Sequence, residues 1–361
     1  MKPIEVKLGP RSYKVHVGNG LLKRTGSIVR SVCSSDKVMI LSTSRIYKLY
    51  GKTVFNSLRA QGFKVYPFFI PDGEAHKNEK TLLSVLDKMA RLSFQRDSCL
   101  LALGGGVVGD LGGFAASIYM RGIQFVQCPT TFLAQVDAGI GGKTAIDFKG
   151  IKNLVGSFYQ PKVVVADTSV LKTLNDRQLR TGLAEVIKYG VIQDPKMFGL
   201  LEAQLEKILH KDSKLLSELV WRSCDIKARI VSADEREGGK RAWLNYGHTL
   251  GHALEAYFKY DVLTHGEAIA FGMSFAGQLS VQLGLCGVDV LNRQNALLKK
   301  AGLFRAMPDF NAKKVYEKMF LDKKVKDGQI QFVLTRKIGL VTIQKNVPQT
   351  TIFSILRQLQ A

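Results

Sequence analysis

Short apolar runs alternate with amphipathic stretches over the first 170 residues of the chain. Five runs have the length and the β-branched or aromatic content of buried strands. They are residues 37–41, 63–70, 98–103, 124–127 and 163–166. Helical patterns lie between them, one continuing to Gln61 and another at 81–92. Strands that alternate with helices predict an α/β fold with a mostly parallel sheet covered on both faces.

The pattern changes from about Thr168 onwards. Residues 176–305 read as successive amphipathic helices, and 329–334 with 340–343 predict a late β-hairpin around Ile338-Gly339. We therefore divide the chain into an α/β domain, residues 1–170, and a helical domain, residues 171–361. Without a long linker between them, we expect the two domains to pack closely, with a cleft of the kind that binds ligands.

The composition is that of an ordinary globular protein, 46% hydrophobic and 23% charged over 361 residues. The five cysteines form no Cys-x-x-Cys pair, which favours a reducing, cytoplasmic location over a disulfide framework. The most apolar window, 99–118, holds six glycines and Asp110, so we expect no membrane span. The N-terminus lacks the apolar core of a signal peptide.

The net charge of +22 has three possible explanations. Nucleic-acid binding is one, but the lysines and arginines are spread along the whole chain and form no arginine-rich arm. A generally basic surface is the second. The third is a pocket for a small molecule with several negative charges.

A glycine-rich segment follows the third predicted strand. Residues 104–110 (GGGVVGD) satisfy G-x-G-x-x-G through Gly104, Gly106 and Gly109. Backbone without side chains lets amide groups and a helix N-terminus approach a pyrophosphate, although a structural glycine turn is the alternative. The ribose-binding acid usual after the next strand is missing, and Glu74, just beyond an earlier strand, could replace it.

A second glycine-rich segment precedes Lys143. Gly142-Lys143-Thr144 suggests a P-loop, but Asp137 stands where the Walker pattern requires its first glycine. We interpret residues 140–144 as a flexible loop that contacts an anion through Lys143. Lys152 and Asn153 add a cation and an amide shortly afterwards, although solvated surface lysines are the alternative.

Three of the six histidines lie within residues 248–265. His248 and His252 share one face of a predicted helix, and imidazoles gathered in this way bind zinc or a similar divalent metal. Half-buried, hydrogen-bonded histidines are the alternative. No glutamate stands between them to act as a zincin base. Glu185 and Lys188 lie three apart in an apolar helical segment, where Glu185 could complete a His/His/carboxylate site.

Taken together, these segments resemble the 3-dehydroquinate synthase family, within the wider group of sugar-phosphate cyclases. The matching segments follow in order along nearly the whole chain: 104–110 (GGGVVGD), 119–122 (YMRG), 129–137 (PTTFLAQVD), 141–147 (GGKTAID), 152–156 (KNLVG), 184–188 (AEVIK), 234–237 (DERE) with Arg241, 245–252 (NYGHTLGH), 265–267 (HGE) and 322–324 (DKK).

The resemblance implies a Rossmann-like NAD-binding α/β domain, a helical metal- and substrate-binding domain, an active site in the cleft between them, and a homodimer. The implied reaction converts 3-deoxy-D-arabino-heptulosonate 7-phosphate to 3-dehydroquinate and phosphate, the second step of the shikimate pathway. NAD is reduced and reoxidised within one turnover, phosphate is eliminated, and an aldol step closes the ring. A divalent metal, zinc or cobalt, is a second cofactor, and no nucleic acid or membrane partner is expected.

The resemblance also assigns roles to residues of this chain. The implied metal ligands are Glu185, His248 and His265. The implied catalytic residues are Lys188, Glu237, Arg241, Asn245 and His252. The implied substrate-binding residues are Arg121 of the partner subunit, Lys143, Lys152, Asn153, Lys227 and Lys324. The implied cofactor-binding residues are Glu74, Lys77, Gly105, Gly106, Asp110, Thr130, Thr131 and Asp137.

Two other functions have to be weighed. The first is a sister cyclase, or a metal-dependent oxidoreductase resembling glycerol dehydrogenase, which would share the glycine loop and the metal helix. These proteins differ in the substrate-contacting residues, and Lys152, Asn153, Lys227, Arg241 and Asn245 are those the synthase requires. The second is a basic nucleic-acid-binding protein, which has no use for the histidine cluster.

Overall fold

The computed structural model describes residues 1–320, 325–326 and 329–359. It divides into two compact units, the first formed by residues 1–174 and 213–236 and the second by 175–212 and 237–361. This division differs from a single break after residue 170. The helix within 213–236 returns to the first unit because it packs on that unit's N-terminal strands and on the turn at 134–138.

The strands and helices have the following bounds. The strands are β1 (Ile4–Val6), β2 (Tyr13–Gly18), β3 (Lys37–Thr43), β4 (Lys64–Ile70), β5 (Cys99–Gly104), β6 (Gln124–Pro129), β7 (Lys143–Phe148), β8 (Ile151–Phe158), β9 (Val163–Asp167), β10 (Val325–Lys326), β11 (Gln329–Ile330), β12 (Phe332–Lys337) and β13 (Leu340–Gln344). The helices are α1 (Thr25–Arg30), α2 (Ser44–Ile46), α3 (Lys52–Arg59), α4 (Glu79–Arg91), α5 (Gly106–Ile118), α6 (Asp176–Ile192), α7 (Pro195–Leu209), α8 (Ser213–Ala233), α9 (His248–Tyr257), α10 (His265–Gln282), α11 (Val288–Lys300), α12 (Ala312–Phe320) and α13 (Gln349–Gln358).

A seven-stranded sheet in the order β1-β2-β9-β6-β5-β3-β4 forms the centre of the first unit. β1 pairs antiparallel with β2, and the other neighbours pair in parallel. After β3 the chain adds β4 on one side and then β5 on the other, so the winding direction reverses between β3 and β5. Ligands of doubly wound proteins bind at the carboxyl ends of strands beside such a reversal. The glycine-rich segment starts there, at the end of β5.

The predicted strands of the first unit are confirmed as β3, β4, β5, β6 and β9. β5 and β9 are buried at every residue because helices cover both faces of the parallel sheet. The chain also forms β1, β2, β7 and β8, which the sequence analysis does not predict. The flexible loop predicted at 140–144 is wrong for Lys143 and Thr144, which begin β7. β7 and β8 form a hairpin whose turn residues Lys149 and Gly150 both have positive φ, 48° and 77°.

The second unit is mainly helical, as predicted. Its helices are α6, α7 and α9 to α13. The predicted late hairpin is confirmed as β12 and β13, which pair antiparallel from Phe332↔Gln344 to Lys337↔Leu340. Among the described residues, no helix combines the length and the apolar character that crossing a bilayer requires.

Helices α9 and α10 approach each other closely at two glycines. A Cβ atom built on Gly272 would lie 1.8 Å from the carbonyl oxygen of Gly247, so no side chain fits there. Gly247 itself has φ 77°, a left-handed conformation that glycine adopts without strain, and it immediately precedes α9. This contact fixes the start of α9, and with it His248, against α10.

Replacing Gly272 with alanine should therefore destabilise the protein by about 1–3 kcal/mol, because the added methyl group forces α9 and α10 apart. Gly199 is the matched control: it lies within α7, and a Cβ atom there meets nothing within 4 Å. Gly199→Ala should be neutral or stabilising by up to about 1 kcal/mol. Urea unfolding of both variants measures the difference, and equal stabilities would contradict the close approach.

Candidate functional site

Three side chains of the second unit converge on one point. Glu185 lies in α6, while His248 and His265 are the first residues of α9 and α10. Glu185 Oε1 lies 3.5 Å from His248 Nε2 and 3.6 Å from His265 Nε2. In a tetrahedral metal site with bonds of about 2.0–2.2 Å, ligand atoms are roughly 3.3–3.6 Å apart. Both distances from Glu185 match this spacing, and the ligand atoms of all three residues lie within 4.8 Å of one another.

Hydrogen bonds orient both imidazoles towards this point. His248 Nδ1 lies 3.0 Å from the carbonyl oxygen of Tyr246, and His265 Nδ1 lies 3.3 Å from Glu255 Oε2. Both partners are acceptors, so each Nδ1 carries a proton, and each Nε2 would offer its lone pair to a metal ion held beside Glu185. A carbonyl or carboxylate behind a histidine is the usual outer support of a metal ligand.

Glu185 is fully buried, and so is its neighbour Lys188, which donates a hydrogen bond to Glu185 Oε2. Both members of this ion pair are therefore removed from water. A buried carboxylate is costly unless cations compensate for it. Lys188 neutralises one oxygen, and the two imidazoles face the other. A metal ion between Oε1 and the Nε2 atoms would complete this compensation, so the donor set fits such an ion.

The electrostatics of His265 reflect the same carboxylates. Burial lowers the pKa of His265, but Glu255 and then Glu185 outweigh it and raise the pKa to about 10. The imidazole therefore attracts a cation strongly, whether the cation is a proton or a metal ion.

His252 lies one turn after His248 on α9 and is half-buried. Its ring centroid is 5.2 Å from that of His248 and 6.2 Å from that of His265. His252, Glu255 and His265 form a second group whose ligand atoms lie within 4.8 Å of one another. His252 thus adjoins the first ligand set and belongs to the second.

Arg241 and Asn245 precede α9 on a separate turn of 3₁₀-helix, Lys240–Asn245. The predicted helix that carries both histidines begins at His248, because Gly247 before it adopts a left-handed conformation. Arg241 is buried, and its Nε lies 3.8 Å from Glu237 Oε1. The structure thus brings Arg241 close to Glu237, which precedes this turn, and both lie outside the helix that carries the histidines.

In the first unit the glycine-rich segment has the predicted strand-loop-helix context. β5 ends at Gly104, Gly105 is the N-cap of α5, and Gly106 begins the helix. Gly109 packs against Gln127 of β6, where a Cβ atom would lie 2.8 Å from the amide oxygen. The N-cap and the first residue of α5 are therefore both glycines, which leaves the helix N-terminus without side chains of its own, as a pyrophosphate requires.

Residues implied to line NAD gather around this segment. The buried Thr130 Oγ1 has no hydrogen-bond partner among the described residues, which suits a ligand contact. Thr131 Oγ1 accepts a hydrogen bond from the Ala134 amide at 3.2 Å. Asp137 accepts a hydrogen bond of 2.6 Å from Lys227 Nζ, which pairs a residue assigned to the cofactor with one assigned to the substrate.

A second cluster joins α5 to the β7–β8 hairpin. Lys77 Nζ donates to Asp110 Oδ2 at 2.6 Å and to Asn153 Oδ1 at 2.5 Å. Glu74 Oε1 lies 4.0 Å from Lys77 Nζ and 3.7 Å from Lys152 Nζ. The structure therefore groups Glu74, Lys77 and Asp110, assigned to NAD, with Lys152 and Asn153, assigned to substrate.

The remaining predicted residues lie at the surface or outside the described part. Arg121 is exposed at the turn after α5, with φ 63°, and Lys143 is exposed at the start of β7. Lys324 lies outside the described residues.

Three groups that were not predicted from the sequence support the site. Glu255 lies behind His265, and the Tyr246 carbonyl lies behind His248. The third is Asp147, whose Oδ1 accepts a hydrogen bond from the Asn153 amide at 2.9 Å. Glu255 lies three residues after His252, on the same helix face, so its position was a detectable signal. A carbonyl has no sequence signal.

Family models match most of the chain. A model described as 3-dehydroquinate synthase N-terminal matches residues 67–181, and one described as 3-dehydroquinate synthase C-terminal matches residues 182–325. Relatives named 3-dehydroquinate synthase are similar over nearly full length. The one from Picosynechococcus sp. is 47% identical over 97% of both chains. The one from Nitrosospira multiformis is 42% identical over 97% of this chain and 96% of its own.

Solved structures of related cyclases have the same fold. A 2-epi-5-epi-valiolone synthase from Streptomyces hygroscopicus, with NAD⁺ and Zn²⁺ bound, superimposes with a TM-score of 0.88 at 27% identity over 96% of both chains. A 2-deoxy-scyllo-inosose synthase with carbaglucose-6-phosphate, NAD⁺ and Co²⁺ gives 0.88 at 26% identity over 99% of this chain and 100% of its own. With two family models on consecutive segments and relatives this similar along the whole sequence, the chain belongs to the 3-dehydroquinate synthase family.

Proposed function

We propose that this protein is a 3-dehydroquinate synthase, which converts 3-deoxy-D-arabino-heptulosonate 7-phosphate to 3-dehydroquinate and phosphate. The observation that carries the proposal is the convergence of Glu185, His248 and His265 in a chain 42–47% identical to curated synthases over nearly its whole length. The carboxylate and the two imidazole nitrogens form a donor set with room for a substrate oxygen on the same ion.

NAD and a divalent metal, zinc or cobalt, are the proposed cofactors. When bound, the metal supplies Lewis-acid polarisation of a substrate hydroxyl, and NAD accepts and returns a hydride. The spacing and orientation of the three ligands support the metal. The switch-point glycine segment and the buried Thr130 hydroxyl support NAD. Both related cyclases were crystallised with NAD⁺ and a divalent metal.

The chain's own residues hold the ligands and move protons. Lys188 orients the Glu185 carboxylate by donating to Oε2, which leaves Oε1 as the ligand atom. His252, half-buried beside the ligand histidines, is the proposed proton carrier, with Glu237 as a second candidate. Arg241 and Asn245 are the proposed contacts for substrate oxygens, with Arg241 held close to Glu237.

Binding of NAD and of the anionic substrate is assigned to the first unit's polar clusters. Gly105, Gly106 and the start of α5 receive the pyrophosphate, while Glu74, Lys77, Asp110, Thr130, Thr131 and Asp137 line the rest of the cofactor site. A phosphate and a carboxylate together require several cations. Those proposed for the substrate are Arg121, Lys143, Lys152, Lys227 and Lys324, with Asn153 as a neutral donor.

A sister cyclase is the competing function, because the sister enzymes have the same fold. Identity separates the two: the chain is 42–47% identical to curated synthases but 26–27% identical to the valiolone and inosose synthases. Because a fold alone does not decide the substrate, a test of the function has to offer the protein the substrates of the sister reactions as well.

We also propose a homodimer and a cytoplasmic location. β8 exposes four apolar side chains, Ile151, Leu154, Val155 and Phe158, on one hairpin. Exposed apolar groups concentrated in this way favour burial against a second copy. All five cysteines are free thiols, and four of them are buried, which suits a reducing compartment.

The purified protein, supplied with NAD and Zn²⁺ or Co²⁺, should release phosphate from 3-deoxy-D-arabino-heptulosonate 7-phosphate. A chelator should abolish the reaction because it removes the Lewis acid, and added metal should restore the reaction because it replaces that acid. A heptulose phosphate that lacks the carboxylate and a hexose phosphate serve as test substrates for the competing cyclase reactions. If the protein turned over one of these sugar phosphates but did not turn over the heptulosonate phosphate, the proposal would be wrong.

His248→Ala should bind zinc or cobalt far more weakly, by more than the roughly 10–100-fold loss typical of an outer-shell partner. The measurement is metal titration with direct metal analysis, independent of activity. His210→Ala is the control, because His210 is an exposed histidine at the end of α7. Full metal retention in His248→Ala would show that the ligand set is wrong.

Lys152→Ala should lower kcat/KM for the heptulosonate phosphate by roughly tenfold or more, because one cation for the substrate anion is lost. NAD affinity, followed by fluorescence titration, should stay unchanged. Lys149→Ala, which removes an exposed lysine from the tip of the same hairpin, should leave both values alone. A matching loss of NAD affinity in Lys152→Ala would move this lysine to the cofactor site.

A further inference from the structure

Lys77 is an unusual lysine because its ammonium is buried. The residue is 3% exposed and lies between a short turn, Glu74–His76, and helix α4. Its Nζ donates to the Asp110 carboxylate in α5 and to the side-chain oxygen of Asn153 in β8. A side chain enclosed in this way offers little of its charge to a ligand. Its contacts point instead to an effect on its two partners.

The contact with Asn153 has a chemical consequence. An ammonium group can only donate hydrogen bonds, so the atom of the Asn153 amide that faces it must be the oxygen. The amide nitrogen, with its two protons, is then directed away from Lys77. An asparagine without such a neighbour can turn either end outwards, whereas Asn153 is fixed as a hydrogen-bond donor.

The backbone holds the same geometry. The carbonyl oxygen of Lys77 accepts from the Asp147 amide at 2.7 Å, and Asp147 Oδ1 accepts from the Asn153 amide at 2.9 Å. Asn153 has φ 52°, a left-handed conformation that asparagine tolerates better than most residues. Both strands of the β7–β8 hairpin are therefore attached to one residue, through its main chain and its side chain.

We propose that Lys77 is a positioning residue that presents the Asn153 side-chain NH₂ group to an anionic oxygen of the substrate, and that joins this donor to Asp110 beside the glycine segment. This inference rests on the proposed function, which gives Asn153 its substrate. Lys77 then acts through Asn153 and Asp110, in addition to its place in the lining of the cofactor site.

The charge of Lys77 suits this task. Burial lowers its pKa, but the neighbouring carboxylates, above all Asp110, outweigh burial and raise the pKa. The ammonium therefore stays protonated over the working pH range and keeps its preference for the amide oxygen. A neutral side chain of the same length would impose no preference on the amide.

The test is a double-mutant cycle on kcat/KM for the heptulosonate phosphate at saturating NAD and metal. Asn153→Ala alone should lower kcat/KM by on the order of tenfold, the value of a hydrogen bond to a charged group. In a Lys77→Met background, where the amide is no longer oriented, the same substitution should lower it less than about twofold. Arg121→Ala is the control, since Arg121 follows the far end of α5 from Asp110; its effect should be equal in both backgrounds.

A second variant covers the case in which Lys77→Met does not fold. Asn153→Asp keeps an oxygen for Lys77, so its thermal unfolding should match that of the wild type. Its outward atom is an acceptor instead of a donor, so kcat/KM should fall by at least as much as in Asn153→Ala.

The outcomes separate the two proposals. Independent effects of Lys77→Met and Asn153→Ala, or a fully active Asn153→Asp, would overturn the positioning role while the synthase activity stands. A wild type that does not turn over the heptulosonate phosphate would instead overturn the proposed function, and this inference with it.

Discussion

The buried Glu185 carboxylate is the constraint on which the second unit's site depends. Removing an ionised carboxylate from water costs several kcal/mol even after the surroundings relax, so cations or donors must surround it. Lys188 supplies one from the same helix, while the first residues of α9 and α10 supply two imidazoles. Glycines at 247 and 272 allow the helices that carry those imidazoles to approach closely enough.

The first unit applies the same physical rule with the signs reversed. There the buried charges are ammonium groups, Lys77 and Lys227, and the compensating groups are the carboxylates of Asp110 and Asp137. The Lys77–Asp110 pair joins the segment before α4 to α5, and the Lys227–Asp137 pair joins α8 to the turn at 134–138. The side chains proposed to contact ligands are thus held in place by buried partners, which makes their orientation a property of the fold.

Fold and function are separable in this group of proteins. The valiolone and inosose synthases superimpose on the chain with a TM-score of 0.88 at 26–27% sequence identity. An iron-containing alcohol dehydrogenase from Thermotoga maritima shares the fold with a TM-score of 0.69 at only 14% sequence identity. The substrate must therefore be decided by particular side chains on a common scaffold. In this chain the cations that match the synthases lie in the β7–β8 hairpin, in α8 and in the segment before α9.

The sequence by itself determined the strand-helix alternation, the glycine segment, the helical second half and the late hairpin, because period and composition are local properties. It did not reveal β7 and β8, whose glycines and lysines resemble a loop until the strands pair. It also did not reveal that Gly247 separates the turn with Arg241 and Asn245 from the helix that begins at His248. Only the tertiary structure decided which atoms meet: Glu185 Oε1 with two Nε2 atoms, and Lys77 with Asn153. Such contacts join residues 63–80 positions apart, and no local pattern records the packing that brings them together.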